Sequence, residues 1–350
     1  MKRTILYLLV SLAFIAGAAA FVYTSSRGKP VLRVYNWADY IAPDVIAEFQ
    51  REFGCEVRVY VYYSNEDMYE KLRSADADYD VVVPSSYMVV KMAKEGMVRD
   101  LDHSQLPNVA ANLDASFLKD SIDREMRYSV PYFVSFTGIG YDKEKVKDFE
   151  PTWQMFERDG LKCSLLDDER EVIGAALKSI GKSANSTAPQ DVEAATAVAL
   201  RWRNHGSSFD VDAAKLSLAN GQLDLIQTYS GDILQEMDAN PNLAFVIPKE
   251  GSTFTLDNLV ILKKARNPDL ALKFINFLYR PDVCAKNMEA VMYLAPNAAA
   301  LQLVDKNLRD KSAFAIPETT RAKCEPLLDL GEKSALFDEA WKTIRDKPGQ

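Results

Sequence analysis

The chain has 350 residues, 48% of them apolar and 26% charged, enough apolar content for two lobes with cores of their own. Its net charge of −8 gives no sign of the basic face that a nucleic-acid partner would require. Cys55, Cys163, Cys284 and Cys324 are far apart and share the chain with only two histidines. A zinc site and a disulfide-stapled mini-fold are therefore not expected; no cofactor or metal is called for, and the four thiols should be free and packed.

The first 30 residues differ from the rest. Lys2 and Arg3 precede an apolar run at 5–23 that ends in Ala18, Ala19 and Ala20, the pattern of a signal peptide. The run is also close to a membrane span in length, so an uncleaved N-terminal anchor is the alternative. Either way the remaining chain is expected in the periplasm.

A β-rich run at 31–35 leads through a turn into a helix beginning near Pro43, with Val45, Ile46, Phe49 and Phe53 on one face and Gly54 at its end. Trp37, Asp39 and Tyr40 thus sit on a strand-to-helix turn, where open α/β sheets bind ligands. The alternating stretch 56–62 reads as a second strand. Ser64 then caps a helix expected at 68–74. The apolar run 80–84 reads as a strand buried on both faces, followed by Ser85, Ser86 and Tyr87 and a helix closing at Gly96. This βαβαβ unit puts Trp37 to Tyr40 and Ser85 to Tyr87 on one sheet edge.

Residues 100–127 are polar and loose, a wrapping segment. The stretch 128–141 is extended and suited to carry the chain from one lobe to another near 135–138. A second unit follows, with a strand at 163–166 and a helix opening at 167–171. Asp168 and Glu171 share a face of its first turn, where the helix dipole favours ionised carboxylates; spacing alone reads them as a capping cluster. After a core helix at 189–204, the strand 223–228 delivers Tyr229 and Asp232. Strands at 243–248 and 254–262 come next. The second carries Asp257 in an apolar setting that demands a partner, and it is the expected return crossover. Helices at 269–279 and 281–292 lead to Tyr293 and a mixed tail.

Separated turns therefore deliver aromatics and acids together. Ring faces attract ammonium groups at roughly 0.5 to 2 kcal/mol each, and carboxylates fix them by charge-assisted hydrogen bonds. A flexible alkylamine with several charges suits that combination.

The segments YNWADYIAP at 35–43, SNEDMYEKL at 64–72, DVVVPSSYMV at 80–89, DDEREV at 167–172, IPKEG at 247–251 and FINFLYRPDV at 274–283 together resemble the polyamine-binding proteins of bacterial ABC importers, the putrescine and spermidine receptors. The similarity runs with gaps over about 31–300, and the tail matches weakly. It implies a two-lobed periplasmic-binding fold of type II, each lobe an open, mainly parallel sheet flanked by helices, closing on its ligand without chemistry. Lobe 1 would comprise 31–136 and about 257–300, and lobe 2 would comprise 137–256 and about 301–350.

The same resemblance implies first-lobe contacts from Trp37, Asp39, Tyr40, Ser85 and Tyr87, and an amine contact from Glu171. Asp168 matches the spermidine type, Asp232 and Tyr293 the putrescine type, and Asp257 the hinge-strand acid. It also implies a monomer partnered by a permease and an ATPase of the inner membrane. Three positions depart from the pattern. Tyr229 stands in place of Trp, Thr255 in place of Trp or Phe, and Ala38 in place of a Ser or Thr. Lower affinity and broader ligand choice are the expectation.

Two rivals stay open. A receptor of the same fold could hold ferric iron through Tyr60, Tyr62 and Tyr87, although Tyr60 and Tyr62 lie mid-strand on one face, a position for core packing. A glycosidase could use Asp168 and Glu171, but acids three apart on one helix do not flank a bond from opposite sides. No GxSxG, Walker, GxGxxG or HExxH motif supports an enzyme.

Overall fold

The structure, a computed structural model, describes residues 29–346 apart from 75, 120–122, 312–313 and 315. The expected leader lies outside the described residues except for Lys29 and Pro30. Strand β1 (Val31–Trp37) lies parallel to β2 (Glu56–Tyr62) on one side and β3 (Val81–Val82) on the other. Between β1 and β2, helix α1 (Pro43–Phe53) starts on proline, buries Val45 and Phe49, and stops where Gly54 turns left-handed at φ 62°. Helix α2 (Asn65–Arg73) begins three residues before its expected start, because the Ser64 hydroxyl accepts the Asp67 amide at 3.1 Å and nucleates the turn there. Helix α3 (Ser86–Lys94) follows β3.

Strand β4 (Ser129–Asp142), almost wholly buried, changes partners along its length. The second unit consists of β5 (Cys163–Leu165), α4 (Glu169–Ser179), α5 (Pro189–Asn204), β6 (Ser208–Phe209), α6 (Asp212–Ala219), β7 (Leu225–Tyr229), α7 (Ser230–Ala239) and β8 (Leu243–Val246). The chain then returns through β9 (Thr253–Ile261). From Ser129 to Phe136, β4 pairs antiparallel with β9; from Thr137 to Tyr141 it pairs with β7. Strand β5 lies parallel to β6 and β7, and β3 is antiparallel to β9. Each half is thus a parallel core edged by antiparallel crossover strands, and the two halves share β4.

Two large cores match the two halves. Phe49, Phe133, Phe274 and Phe277 centre the first, with α8 (Pro268–Leu278) and α9 (Pro281–Val291) contributing. Trp153, Phe156 and Trp202 centre the second. The tail, expected wholly in the second lobe, is shared instead. Val304, Leu308 and Phe314 join the first core. Helix α10 (Ser334–Asp346) buries Phe337, Ala340 and Ile344 in the second, a one-face spacing of three and four residues. Full burial of a side chain such as Phe337 contributes about 1.5–3 kcal/mol, enough to fix where that helix docks. Between them, β10 (Glu325–Pro326) pairs parallel with the start of β9. All four cysteines are buried and unbridged. Among the described residues no helix is long and apolar enough to cross a membrane.

Candidate functional site

Where the two halves meet, a cleft of about 690 Å³, mouth included, gathers side chains from the ends of β1, β2 and β7, from the middle of β9 and from the starts of α3, α4, α6 and α7. At one end stands Asp257 on β9, 4% exposed. Its Oδ2 accepts the Tyr40 hydroxyl at 2.7 Å and its Oδ1 accepts the Ser85 hydroxyl at 2.6 Å. Asn65 donates to Ser85 Oγ at 3.1 Å and receives the Ser85 amide, so the hydroxyl that serves Asp257 is itself held. Trp37 flanks this end, its indole N–H fixed on the Val83 carbonyl at 2.8 Å and its ring 4.5 Å from that of Tyr62. Asp257 is thus satisfied by hydroxyls from two elements far away in sequence, and no lysine or arginine among the described residues forms an ion pair with it.

The facing wall is the first turn of α4. Asp168 is its N-cap, one oxygen accepting the amides of Arg170 and Glu171 at 2.9 and 3.1 Å, while the other faces the Tyr229 hydroxyl at 3.4 Å. The capping reading and the cleft reading both hold for this residue. Glu171, 1% exposed, accepts the Thr253 hydroxyl. Arg170 stacks its guanidinium 5.4 Å from the Tyr87 ring, linking the two halves, and Tyr87 donates to Glu66 at 3.1 Å.

The other end is built differently. Tyr293 donates to Asp232 Oδ1 at 2.8 Å and lies edge-on to Tyr40 at 4.9 Å. Gly231 permits this, because a Cβ there would overlap the Tyr293 ring. From α6, Lys215 reaches the same region with its side chain 7% exposed. Its Nζ stands 3.4 Å from Gln235 Oε1, 3.6 Å from Asp39 and 3.9 Å from Asp212.

Ten of the eleven sequence-derived residues line the one cleft: Trp37, Tyr40, Ser85, Tyr87, Asp168, Glu171, Tyr229, Asp232, Asp257 and Tyr293. Asp39 does not. Its backbone is left-handed at φ 49°, and its carboxylate, 71% exposed, stands at the rim facing Lys215. The three positions that depart from the family pattern behave alike: Ala38, Tyr229 and Thr255 all line the cleft. Lys215, Asp212, Asn65 and Leu327 line it too, without having been singled out by sequence, as does Tyr62, which the sequence offered only as an iron ligand. A lysine between the buried Ala214 and Leu218 was the available signal for Lys215.

Burial governs the electrostatics. It pushes the Glu171 carboxyl up to about 8, with the charge of Asp168 adding to the effect. It raises Asp257 to about 6, against the pull of the Ser85 and Tyr40 hydrogen bonds. Asp168 and Asp232 are raised for the same reason, Asp232 being held back by Lys215 and Tyr293. For Lys215, burial alone would lower the pKa, but Asp232, Asp212, Asp39 and Glu236 outweigh it and the ammonium titrates above its ordinary range. Five carboxylates line the cleft, and Lys215 is the only lysine or arginine among the described lining residues. Such a site disfavours anions and rewards a cation that brings more than one charge.

The iron set does not converge. Tyr60 is 37% exposed and edge-on to Tyr79, Tyr62 donates to the Val83 carbonyl, and Tyr87 donates to Glu66. Asp168 and Glu171 stand on one helix turn, on the same side of the cleft.

Residues 44–316 match the family described as bacterial extracellular solute-binding protein. The chain is 36% identical to the spermidine/putrescine-binding periplasmic protein of Salmonella typhimurium, over 99% of both chains. It is 34% identical to a putrescine-binding periplasmic protein of Escherichia coli, covering 95% of this chain and 96% of the relative. Its structure is similar to that of a putative spermidine/putrescine ABC transporter from Listeria monocytogenes, with a TM-score of 0.86, 35% identity, and coverage of 90% of this chain and 99% of the other.

Proposed function

The chain belongs to the bacterial extracellular solute-binding protein family, and from that premise we propose that it captures polyamines, putrescine or spermidine, in the cleft between its halves and hands them to an importer. The observation that carries this reading is the set of five lining carboxylates facing one lysine, walled by Trp37, Tyr40, Tyr87, Tyr229 and Tyr293. Each terminal ammonium of a polyamine has three donors. Asp257 has unused acceptor capacity beside its two hydroxyl partners, and among the described residues the buried Ser135 hydroxyl in the cleft has no hydrogen-bond partner. Methylene segments would lie against the rings while the amines meet the acids.

No chemistry is asked of the site; its work is binding and closure. The lobes are 31–136 with about 257–300 and, against it, 137–256, with the tail divided between them; β4 and β9 are the hinge strands. Tyr87 and Arg170, which meet across the cleft, belong to the closed state. The receptor acts as an exported monomer, and its partners are a membrane permease and an ATPase.

Calorimetric titration with putrescine, cadaverine, spermidine and spermine tests the reading. Saturable binding of at least one polyamine with one ligand per chain is expected. No binding of any of the four refutes it.

A further inference from the structure

We propose that Lys215 is a tethered ammonium that fills the Asp232 end of the cleft, so that the protein takes a diamine in preference to a triamine. This inference rests on the polyamine reading and deepens it. Lys215 projects from the inward face of α6, beside the buried Ala214 and Leu218, and its side chain is as buried as those of core residues. The Nζ stands among Gln235, Asp39 and Asp212, and Gln235 is held in turn by its amide on the Val291 carbonyl at 3.0 Å. Asp39 lies in the first half and Asp212 in the second, so the ammonium bridges the halves as a ligand's terminal amine would.

The consequence is one of charge and of length. A diamine plus Lys215 delivers three ammonium groups to the cleft, as a triamine would by itself. Adding a third ligand ammonium at the Asp232 end would set two cations side by side in a site largely shut off from water, a repulsive juxtaposition. It would also have to displace a four-carbon stem already packed there. At the Asp257 end the partners are the hydroxyls of Tyr40 and Ser85, which bring no charge. Ligand amines are therefore accepted there and excluded at the far end.

The test is calorimetric titration of the parent chain, Lys215→Met and Lys215→Arg with putrescine, spermidine and spermine. The parent is expected to favour putrescine over spermidine by at least about tenfold, the size of one unfavourable like-charge contact. Lys215→Met should abolish or reverse that ratio, and Lys215→Arg should keep it. If the methionine variant does not melt cooperatively, Lys215→Gln carries the same expectation. A parent without the preference, or a neutral variant that keeps the parent's ratio, overturns the inference and leaves the polyamine reading intact. A parent that binds none of the three overturns both.

Discussion

Asp257 and Asp232 are the same residue type at two ends of one cleft, the first buried and the second half-buried, and their surroundings differ in charge. Asp257 is held by two hydroxyls, whereas Asp232 shares a tyrosine hydroxyl and the field of Lys215. A buried carboxylate with neutral donors is oriented but not neutralised; one beside a lysine is largely compensated already. The difference marks which end waits for a cation from solution and which end brings its own.

The sharpest way to break that contrast is to neutralise each acid in turn. Asp257→Asn should weaken putrescine binding by at least about tenfold, the loss of one charge-assisted contact, while Asp232→Asn should cost less than about threefold. Calorimetry on both variants, with circular dichroism as a check on folding, measures this. Equal losses would mean that the two ends are equivalent.

Acidification acts on the acids without changing their size. Glu171 and Asp257 are raised to about 8 and about 6 in the folded chain. At lower pH they hold protons that an ammonium must displace, so putrescine affinity should fall about tenfold between pH 8 and pH 6, with net proton release on binding. The stability of the free protein should move the other way. Because both folded pKa values lie above the unfolded ones, their contribution is fully present below about pH 4 and is lost as pH rises through 6 and then 8. Melting curves from pH 4 to 9, with and without ligand, separate the two trends.

Gly231→Ala sharpens the contrast at the Asp232 end alone. The new methyl group would occupy the space of the Tyr293 ring, an overpacking that destabilises by about 1–3 kcal/mol. Urea unfolding should register that loss. The smallest effect is expected from Tyr229→Trp, which offers a better cation–π face and should strengthen binding by about threefold or less, since the hydroxyl that faces Asp168 goes with it.

Most of this arrangement was legible in the chain itself. Strand-to-helix turns placed Trp37, Tyr40, Ser85 and Tyr87, and an acid in an apolar strand marked Asp257, because those signals are local. Spacing alone read Asp168 as a cap, and only the family resemblance offered it as a ligand contact, since its place in the cleft depends on a tyrosine 61 residues away. Asp39 stands at the rim with a left-handed backbone, and one backbone angle leaves no trace in composition. Lys215 was missed for a related reason: a lysine on a short helix reads as solvated until Asp39, Asp212 and Asp232 are brought around it by the fold. The tail was divided between the lobes by the burial of Phe314 and Phe337, a choice between two cores that periodicity does not make.

A crystal structure of the chain grown with putrescine would test the central claim most directly. The expected result is one ligand in the cleft, with an ammonium nitrogen about 3 Å from an Asp257 carboxylate oxygen, and with Lys215 still beside Asp39 and Asp212. A ligand bound outside the cleft, or an amine seated on Asp232 with Lys215 expelled and Asp257 untouched, would contradict it.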